Sequence, residues 1–345
     1  MAGAKTVKDQ AGAPALFDQI YQFENLLSAA YSCKKGKPST AASVKYFDQL
    51  EENTIALQNE LIWKTYSPLP YRHFYVFEPK RRKISAPSFR DRVIQRAIYN
   101  IIMPVVDPHF IDDSYACRRG KGTHKGVYRT QAMLKKVELE SGKAFVLKAD
   151  ISKYFSNINH DILKRLLRHH LKCEQTLALL DFIIDSSPRD SDSAGIPLGN
   201  LMSQIFANIY LNELDRYAKH TLKAKNYVRY MDDFVIIHHD KEYLQLARRK
   251  IELFLLKKLK LTTNQKTQVF PVSKIHGRAL DFLGYRIYSG HMRLRKSSVK
   301  RIKSKIKKFK NGEIDRAAMG KIAASWLGHA RHANTGALIE KLKTL

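Results

Sequence analysis

The chain has 345 residues, and its 61 Lys and Arg against 32 Asp and Glu give a formal net charge of +29. Hydrophobic residues make up 44% and aromatics 10%, which is enough apolar surface to exclude a disordered chain and to fill two or three domains. No apolar run approaches the ~18 residues of a membrane helix, and the polar start carries no signal core, so secretion and membrane spanning are not expected.

A cation excess of this size points to a polyanion, because phosphates bind Lys and Arg and release counterions. A merely solvated surface and an anionic membrane are the other candidates, but no amphipathic N-terminal anchor is evident. Cys33, Cys117 and Cys173 are far apart, form no zinc spacing and cannot all pair, which fits a reducing, cytoplasmic setting.

Residues 1–14 are small and polar and read as a tail. Leu16, Ile20, Phe23 and Leu27 recur at helical spacing, and a second helix is expected from Ala42 to Lys64. Pro68 and Pro70 end it. His73–Glu78 and Arg82–Ala86 read as partner strands, and Asp91–Val105 as a helix ending near Pro104. The basic, Gly-rich stretch 118–126 includes Arg118, Arg119 and Lys121. It is either an exposed turn or a contact to a phosphate backbone, and it lacks the Walker ending.

Ala144–Asp150 reads as a buried strand ending in a carboxylate. Helices are expected over 160–170, 175–184 and 201–219, with the loop Gly195–Gly199 before the last. Tyr227–Ile237 reads as a hairpin with Met231 and Asp232 between its strands and the acidic pair at its tip. A helix over 242–259 and a strand over 281–288 follow. Residues 293–310 hold ten Lys and Arg, and Val299, Ile302, Ile306 and Phe309 keep helical spacing, so one basic amphipathic helix is expected there. A boundary is expected near residue 290.

Asp150, Asp232 and Asp233 carry the chemistry. Carboxylates beside apolar strands are costly unless a cation compensates. Three of them suggest a divalent-metal site, since hard oxygens suit Mg²⁺ and no Cys/His set suits zinc. Two Mg²⁺ ions ~4 Å apart can hold the attacking and leaving oxygens of a phosphoryl displacement. Taken alone, Asp232–Asp233 could be an ordinary hairpin turn.

The motifs around these residues resemble those of reverse transcriptases. Tyr230-Met-Asp-Asp233 is similar to their Tyr-X-Asp-Asp motif, and Asp150 followed five residues later by Phe155 is similar to their first palm motif. Arg82-Lys-Ile-Ser-Ala-Pro-Ser-Phe-Arg-Asp-Arg-Val-Ile-Gln95 resembles the fingers pattern, and Phe282-Leu-Gly-Tyr285 the primer grip. The resemblance covers roughly residues 70–290 and keeps the family's order. Where most of the family carry Gln-Gly-X-X-X-Ser-Pro, this chain has Leu198-Gly-Asn-Leu-Met-Ser-Gln204. Loss of both Gln and Pro resembles the reverse transcriptases of diversity-generating retroelements, which copy a template-repeat RNA with errors at adenines. Phe23-Glu-Asn-Leu-Leu27 and Ser325-Trp-Leu-Gly-His329 look like this group too. Intron-type and retron enzymes are the runner-up kinships.

The resemblance implies an α+β right-hand fold. An N-terminal helical extension would occupy 1–69, fingers 70–145, a palm of antiparallel sheet and helices 146–290, and a basic helical thumb 291–345. It implies metal ligation by Asp150, Asp232, Asp233 and the Ile151 carbonyl. Lys80, Arg82, Leu198, Gly199 and Gln204 would meet the nucleotide, with the cation register open by one residue. Phe155 would exclude ribose, or be a plain core Phe. Lys266 would protonate the leaving pyrophosphate, or be merely solvated. Phe282, Leu283, Gly284 and Tyr285 would brace the primer end, or form an ordinary hairpin. Lys300, Arg301, Lys303 and Lys307 would track the template–primer backbone.

Expected partners are template RNA, an RNA/DNA duplex, dNTPs and a small basic helical accessory protein oligomer, in a bacterial or phage-encoded system. At this length no RNase H, endonuclease or integrase is expected. The rivals are a noncatalytic RNA-binding splicing factor, which the intact aspartates oppose, and an RNA-dependent RNA polymerase, which Phe155 opposes.

Overall fold

The computed structural model describes residues 15–36, 39–77, 81–188, 193–273 and 277–344. Its contacts divide the chain into two compact units, one within Met1–Phe110 and Lys153–Tyr210, the other Ile111–Ser152 with Leu211–Leu345.

The first unit is mainly helical. Helices α1 (Leu16–Tyr21), α2 (Phe23–Lys34), α3 (Ala41–Asp48) and α4 (Leu50–Ile62) precede the hairpin of β1 (Arg72–Val76) and β2 (Arg82–Ala86). Helix α5 (Phe89–Val106) follows and buries Val93, Ile94, Ala97, Ile98, Ile102 and Val106. Each of the valines and isoleucines contributes about 1.5–3 kcal/mol. Ser88 caps α5 by accepting from the Asp91 N–H at 3.1 Å, and buried Asp91 accepts from Tyr66 Oη and the Leu69 N–H, both at 3.1 Å. The chain returns as α7 (His160–His170), α8 (Glu174–Ser186) and the start of α9 (Leu201–Arg216).

Three expectations for this unit need correction. The helix read across Leu16–Leu27 is two helices, broken at Gln22, because Asn25 Nδ2 donates to the last carbonyls of α1, Gln19 O at 3.2 Å and Ile20 O at 3.0 Å. The helix read over 42–64 breaks at Gln49 by the same device, with Asn53 Nδ2 donating to Tyr46 O at 3.0 Å. Pro104 lies inside α5 and does not end it. It forfeits one hydrogen bond in the last turn, and burial of Ile102, Met103 and Val106 outweighs that loss.

The second unit is built on a four-stranded antiparallel sheet. Its strands are β3 (Phe145–Asp150), β4 (Tyr227–Tyr230), β5 (Asp233–His238) and β6 (Gln268–Pro271), in the order β4-β5-β3-β6. Val146, Val228, Val235 and Ile237 join one core cluster with Val127, Met133, Leu134 and Val137 of α6 (Thr123–Ser141). The alternate residues Leu147, Tyr227, Phe234 and Ile236 are buried as well. Helix α10 (Lys241–Leu259) also packs on β3 and β5. Burial on both faces explains why these strands read as continuous apolar runs.

A three-stranded sheet follows: β7 (Leu280–Phe282), β8 (Tyr285–Ile287) and β9 (Met292–Leu294). The single strand expected over 281–288 is therefore a hairpin, turning at Leu283 and Gly284 with φ of 51° and 90°. The basic helix is α11 (Lys296–Lys310), since 293 and 294 belong to β9. Helices α12 (Arg316–Ala330) and α13 (Gly336–Lys343) end the chain. No helix of the described residues is long and apolar enough to cross a membrane.

Candidate active site

Strand β3 brings Asp150 into register with Asp233, the first residue of β5, which is itself paired with Tyr230 at the end of β4. One rung thus holds two carboxylates, and the turn Met231–Asp232 adds a third. Met231 has φ of 58°, a left-handed conformation that costs a non-glycine residue about 1–2 kcal/mol.

Two contacts hold this turn. The Ile151 N–H donates to Asp232 O at 3.3 Å, and Arg229 Nη1 donates to Met231 O at 3.0 Å. Arg229 is fully buried and forks onto fully buried Asp215, with Nε to Oδ1 and Nη2 to Oδ2 both at 2.7 Å. Tyr227 Oη donates to Asp215 Oδ1 at 2.7 Å, and Arg229 Nη2 to Ser114 Oγ at 3.2 Å. The pair is bidentate and hydrogen-bonded on its flanks, the condition under which a buried ion pair is tolerated.

The Asp233 carboxyl is strongly perturbed. Burial pushes its carboxyl up to about 7. Lys148, whose Nζ is 3.7 Å from Oδ2, opposes the rise, and the Asp150 and Asp232 charges add to it. Lys148 is itself fixed by donating to Asp281 O at 2.7 Å. Asn264 steadies Asp150 from behind, its N–H donating to Asp150 O at 2.7 Å. Asn264 Oδ1 accepts from the Lys266 N–H at 3.0 Å, so Lys266 sits on a turn tied to the Asp150 backbone with its side chain exposed.

The donor set is all oxygen, and Asp233 Oδ1 is buried without a hydrogen-bond partner. That is the environment a hard divalent cation satisfies, so these residues fit one. Among the described residues, no three His, Cys, Asp or Glu side chains are already gathered at metal-binding distance of one point.

In the first unit, Phe155 and Leu198 line one cavity of about 260 Å³ together with Lys83 and Ser85. The Ile196 N–H donates to Phe155 O at 2.8 Å, and the Ser85 N–H to Leu198 O at 2.9 Å. Gly199 has φ of 101°, and a Cβ there would lie 2.5 Å from Ile84 Cγ2, so close approach requires glycine. Asn200 Oδ1 accepts from the Met202 N–H at 2.7 Å and starts α9, on which Gln204 lies half-buried. Along β2, Arg82 and Lys83 alternate between faces; Lys83 lines the cavity, whereas Arg82 is exposed opposite Val76. Arg81 stacks over the Tyr75 ring at 4.2 Å, and Lys80 lies outside the described residues.

The model of the family described as "Reverse transcriptase (RNA-dependent DNA polymerase)" matches residues 78–287. The chain belongs to the reverse transcriptase family. Its members are RNA-directed DNA polymerases, which places the chain among nucleotidyltransferases with an α+β right-hand fold. It is similar to Protein YkfC of Escherichia coli K12, at 27% identity over 67% of this chain and 70% of that protein. It is also similar to the group II intron-encoded protein LtrA of Lactococcus lactis, at 25% identity over 73% of this chain and 51% of that protein, so it spans about half of LtrA. A third relative is the retron Ec83 reverse transcriptase of Escherichia coli, at 25% identity over 71% of this chain and 78% of that protein.

The remaining residues singled out for this reverse transcriptase fall in the second unit. Phe282 and Tyr285 are buried partners across the turn that carries Leu283 and Gly284. Tyr285 Oη donates to His329 O at 2.8 Å and meets His329 Nδ1 at 2.9 Å. Arg118 Nη1 donates to Ile111 O at 2.6 Å and Ser114 O at 3.1 Å, and Lys121 pairs with Asp112; Arg119 is exposed. Lys300, Arg301, Lys303 and Lys307 are exposed on α11, where Ile302 alone is buried. Sequence reasoning missed Lys148, Asn264, Asp215 and Arg229. Lys148 and Arg229 did leave a signal, as lone cations inside apolar strands.

Proposed function

We propose that this chain copies RNA into DNA: a primer 3′-hydroxyl attacks the α-phosphate of a dNTP and pyrophosphate leaves. The observation that carries this reading is the rung shared by Asp150 and Asp233, with Asp232 on the adjoining turn. Asp150, Asp232, Asp233 and the Ile151 carbonyl would hold two Mg²⁺ ions, which when bound stabilise charge on the attacking and leaving oxygens. Arg229 and Lys148 keep the carboxylates in place, so catalysis rests on positioning and electrostatics. Phe155 acts as the bar to a 2′-hydroxyl, and Lys266 supplies a proton to the leaving group. Residues 70–145 serve as fingers, 146–290 as palm and 291–345 as thumb.

The finer reading is the error-prone enzyme of a diversity-generating retroelement, bacterial or phage-borne, working with template RNA and a basic accessory protein. Leu198 supports it: in the cavity with Phe155, a Leu side chain offers bulk but no donor or acceptor. Losing one well-placed hydrogen bond, about 1 kcal/mol, changes base selection several-fold. The likeness to LtrA and the Ec83 enzyme favours a second reading, an intron-type or retron reverse transcriptase.

Extension of a primed RNA with dNTPs against NTPs tests the polymerase. Sequencing cDNA from wild type and Leu198→Gln tests the class. Fewer errors opposite template adenine in Leu198→Gln are expected; equal error spectra would favour the second reading.

A further inference from the structure

Behind the hairpin turn, the second unit carries a group of cations that the carboxylate site does not use. Arg286 of β8 and Arg293 of β9 are direct cross-strand partners. Like charges opposite one another destabilise an antiparallel pair. Asp281 lies across from Arg286 on the other side, but its carboxylate is taken by Arg295, with Nε to Oδ1 at 2.8 Å. Among the described residues, Arg286, Arg293 and Lys296 have no ion-pair partner. All three line one cavity of about 320 Å³, and among the described residues no acidic side chain lines it.

The same cavity receives two helix starts. Lys296 and Val299 belong to the first turn of α11, and Thr335 and Leu338 to the start of α13. Neither helix has a side-chain cap bond at its N-terminus or an acidic residue in its first turn. Helix N-termini carry partial positive charge and unsatisfied N–H groups. Two arginines, one lysine and two uncapped helix starts thus converge where folding alone would favour a carboxylate. An anion supplies what the fold leaves out.

We infer that this cavity holds a phosphate of the nucleic-acid backbone. The guanidinium forks of Arg286 and Arg293 match phosphate oxygens, and Lys296 adds a point charge. A polymer is favoured over a free anion because α11 continues from the cavity with exposed Lys300, Arg301, Lys303 and Lys307, so successive phosphates find successive cations. The inference rests on the polymerase reading and adds to it an anchor that makes no contact with the reacting atoms.

Binding of a primed RNA template, measured by fluorescence anisotropy in EDTA so that no chemistry occurs, tests it. Arg286→Gln/Arg293→Gln should bind about tenfold more weakly near 0.1 M salt, and the slope of log K against log salt should be shallower by about 1. Its melting temperature should be no lower than wild type, because a repulsion has been removed. Unchanged affinity and slope, or a lowered melting temperature, would overturn the inference. Lys296→Gln, on an exposed helix start, should lose affinity to a smaller extent, and an unchanged affinity there would count equally against it. Inorganic phosphate at constant ionic strength separates the two sources of anion. Saturable competition in wild type that vanishes in the double variant would mean a free-anion site and overturn the backbone assignment. Failure of wild type to extend a primer with dNTPs and Mg²⁺ would sink the polymerase reading separately, because the EDTA measurement does not depend on it.

Discussion

Removing Arg229 or Asp215 separates fold stability from turn geometry. In Arg229→Met, Asp215 keeps the Tyr227 hydroxyl but loses both guanidinium bonds while it stays fully buried. Breaking such a pair costs about 3–5 kcal/mol, a large share of a typical 5–15 kcal/mol stability. In Arg229→Met/Asp215→Leu no uncompensated charge remains, and most of that loss should be recovered. Activity should not recover with it. The Arg229 Nη1 bond to Met231 O is still gone, and Met231 at φ of 58° has less to hold it. A hydrogen bond from a charged donor contributes about 1.5–3 kcal/mol, so dNTP incorporation should stay about ten- to hundredfold low. Urea denaturation gives the stabilities and single-nucleotide primer extension the rates. A double variant restored in both stability and rate would refute the positioning role, and a single variant within about 1 kcal/mol of wild type would refute the buried pair.

Asp150→Ala and Asp232→Ala should each abolish dNTP incorporation and leave RNA binding intact, as should EDTA with wild type; near-normal extension by either variant would remove the metal assignment. Phe155→Ala should raise the ratio of rNTP to dNTP efficiency, and an unchanged ratio would make Phe155 a packing residue. His124 and His329 titrate below the ordinary histidine value of 6.5, chiefly through burial and then through each other's neighbours: His332 and Arg331 for His124, and His124, His332 and Arg301 for His329. The unfolded chain therefore takes up protons first as pH falls, so stability is full above pH 6.5 and is lost below it. Wild type should lose more melting temperature than His124→Gln/His329→Gln between pH 7.5 and 5.5; equal losses would exclude the cluster.

The strand ending at Asp150 and the hairpin turning at Met231–Asp232 were legible because short apolar runs are punctuated there by carboxylates. The breaks at Gln22 and Gln49 were not, because the side chains that cap the helix ends come from Asn25 and Asn53, each inside the following helix. Residues 281–288 read as one strand because Leu283 is a poor turn signal; it adopts positive φ beside Gly284, and Tyr285 then meets Phe282 in the core. The cation register could not be settled from four contiguous basic residues. Strand alternation places Lys83 at the cavity shared by Phe155 and Leu198 and Arg82 on the opposite face. The Arg229–Asp215 pair joins a strand to a helix, and no local pattern announces it.

Three local rules are broken in the second unit, and none of the breaks helps the fold. Met231 is left-handed without being glycine, Asp233 buries an unpartnered oxygen, and Arg286 faces Arg293. Together they cost several kcal/mol. The Arg229–Asp215 pair is a poor candidate for the compensation, since a buried ion pair roughly breaks even against apolar residues of the same volume. The compensation lies in the sheet. Val146, Val228, Val235 and Ile237 on one face, and Leu147, Phe234 and Ile236 on the other, contribute about 1.5–3 kcal/mol each. Apolar burial supplies the stability, and the polar network spends part of it on geometry. That division explains why Met231 sits in a turn and Asp233 at a strand end, where they can meet a substrate, while the strand centres of the four-stranded sheet stay mostly apolar.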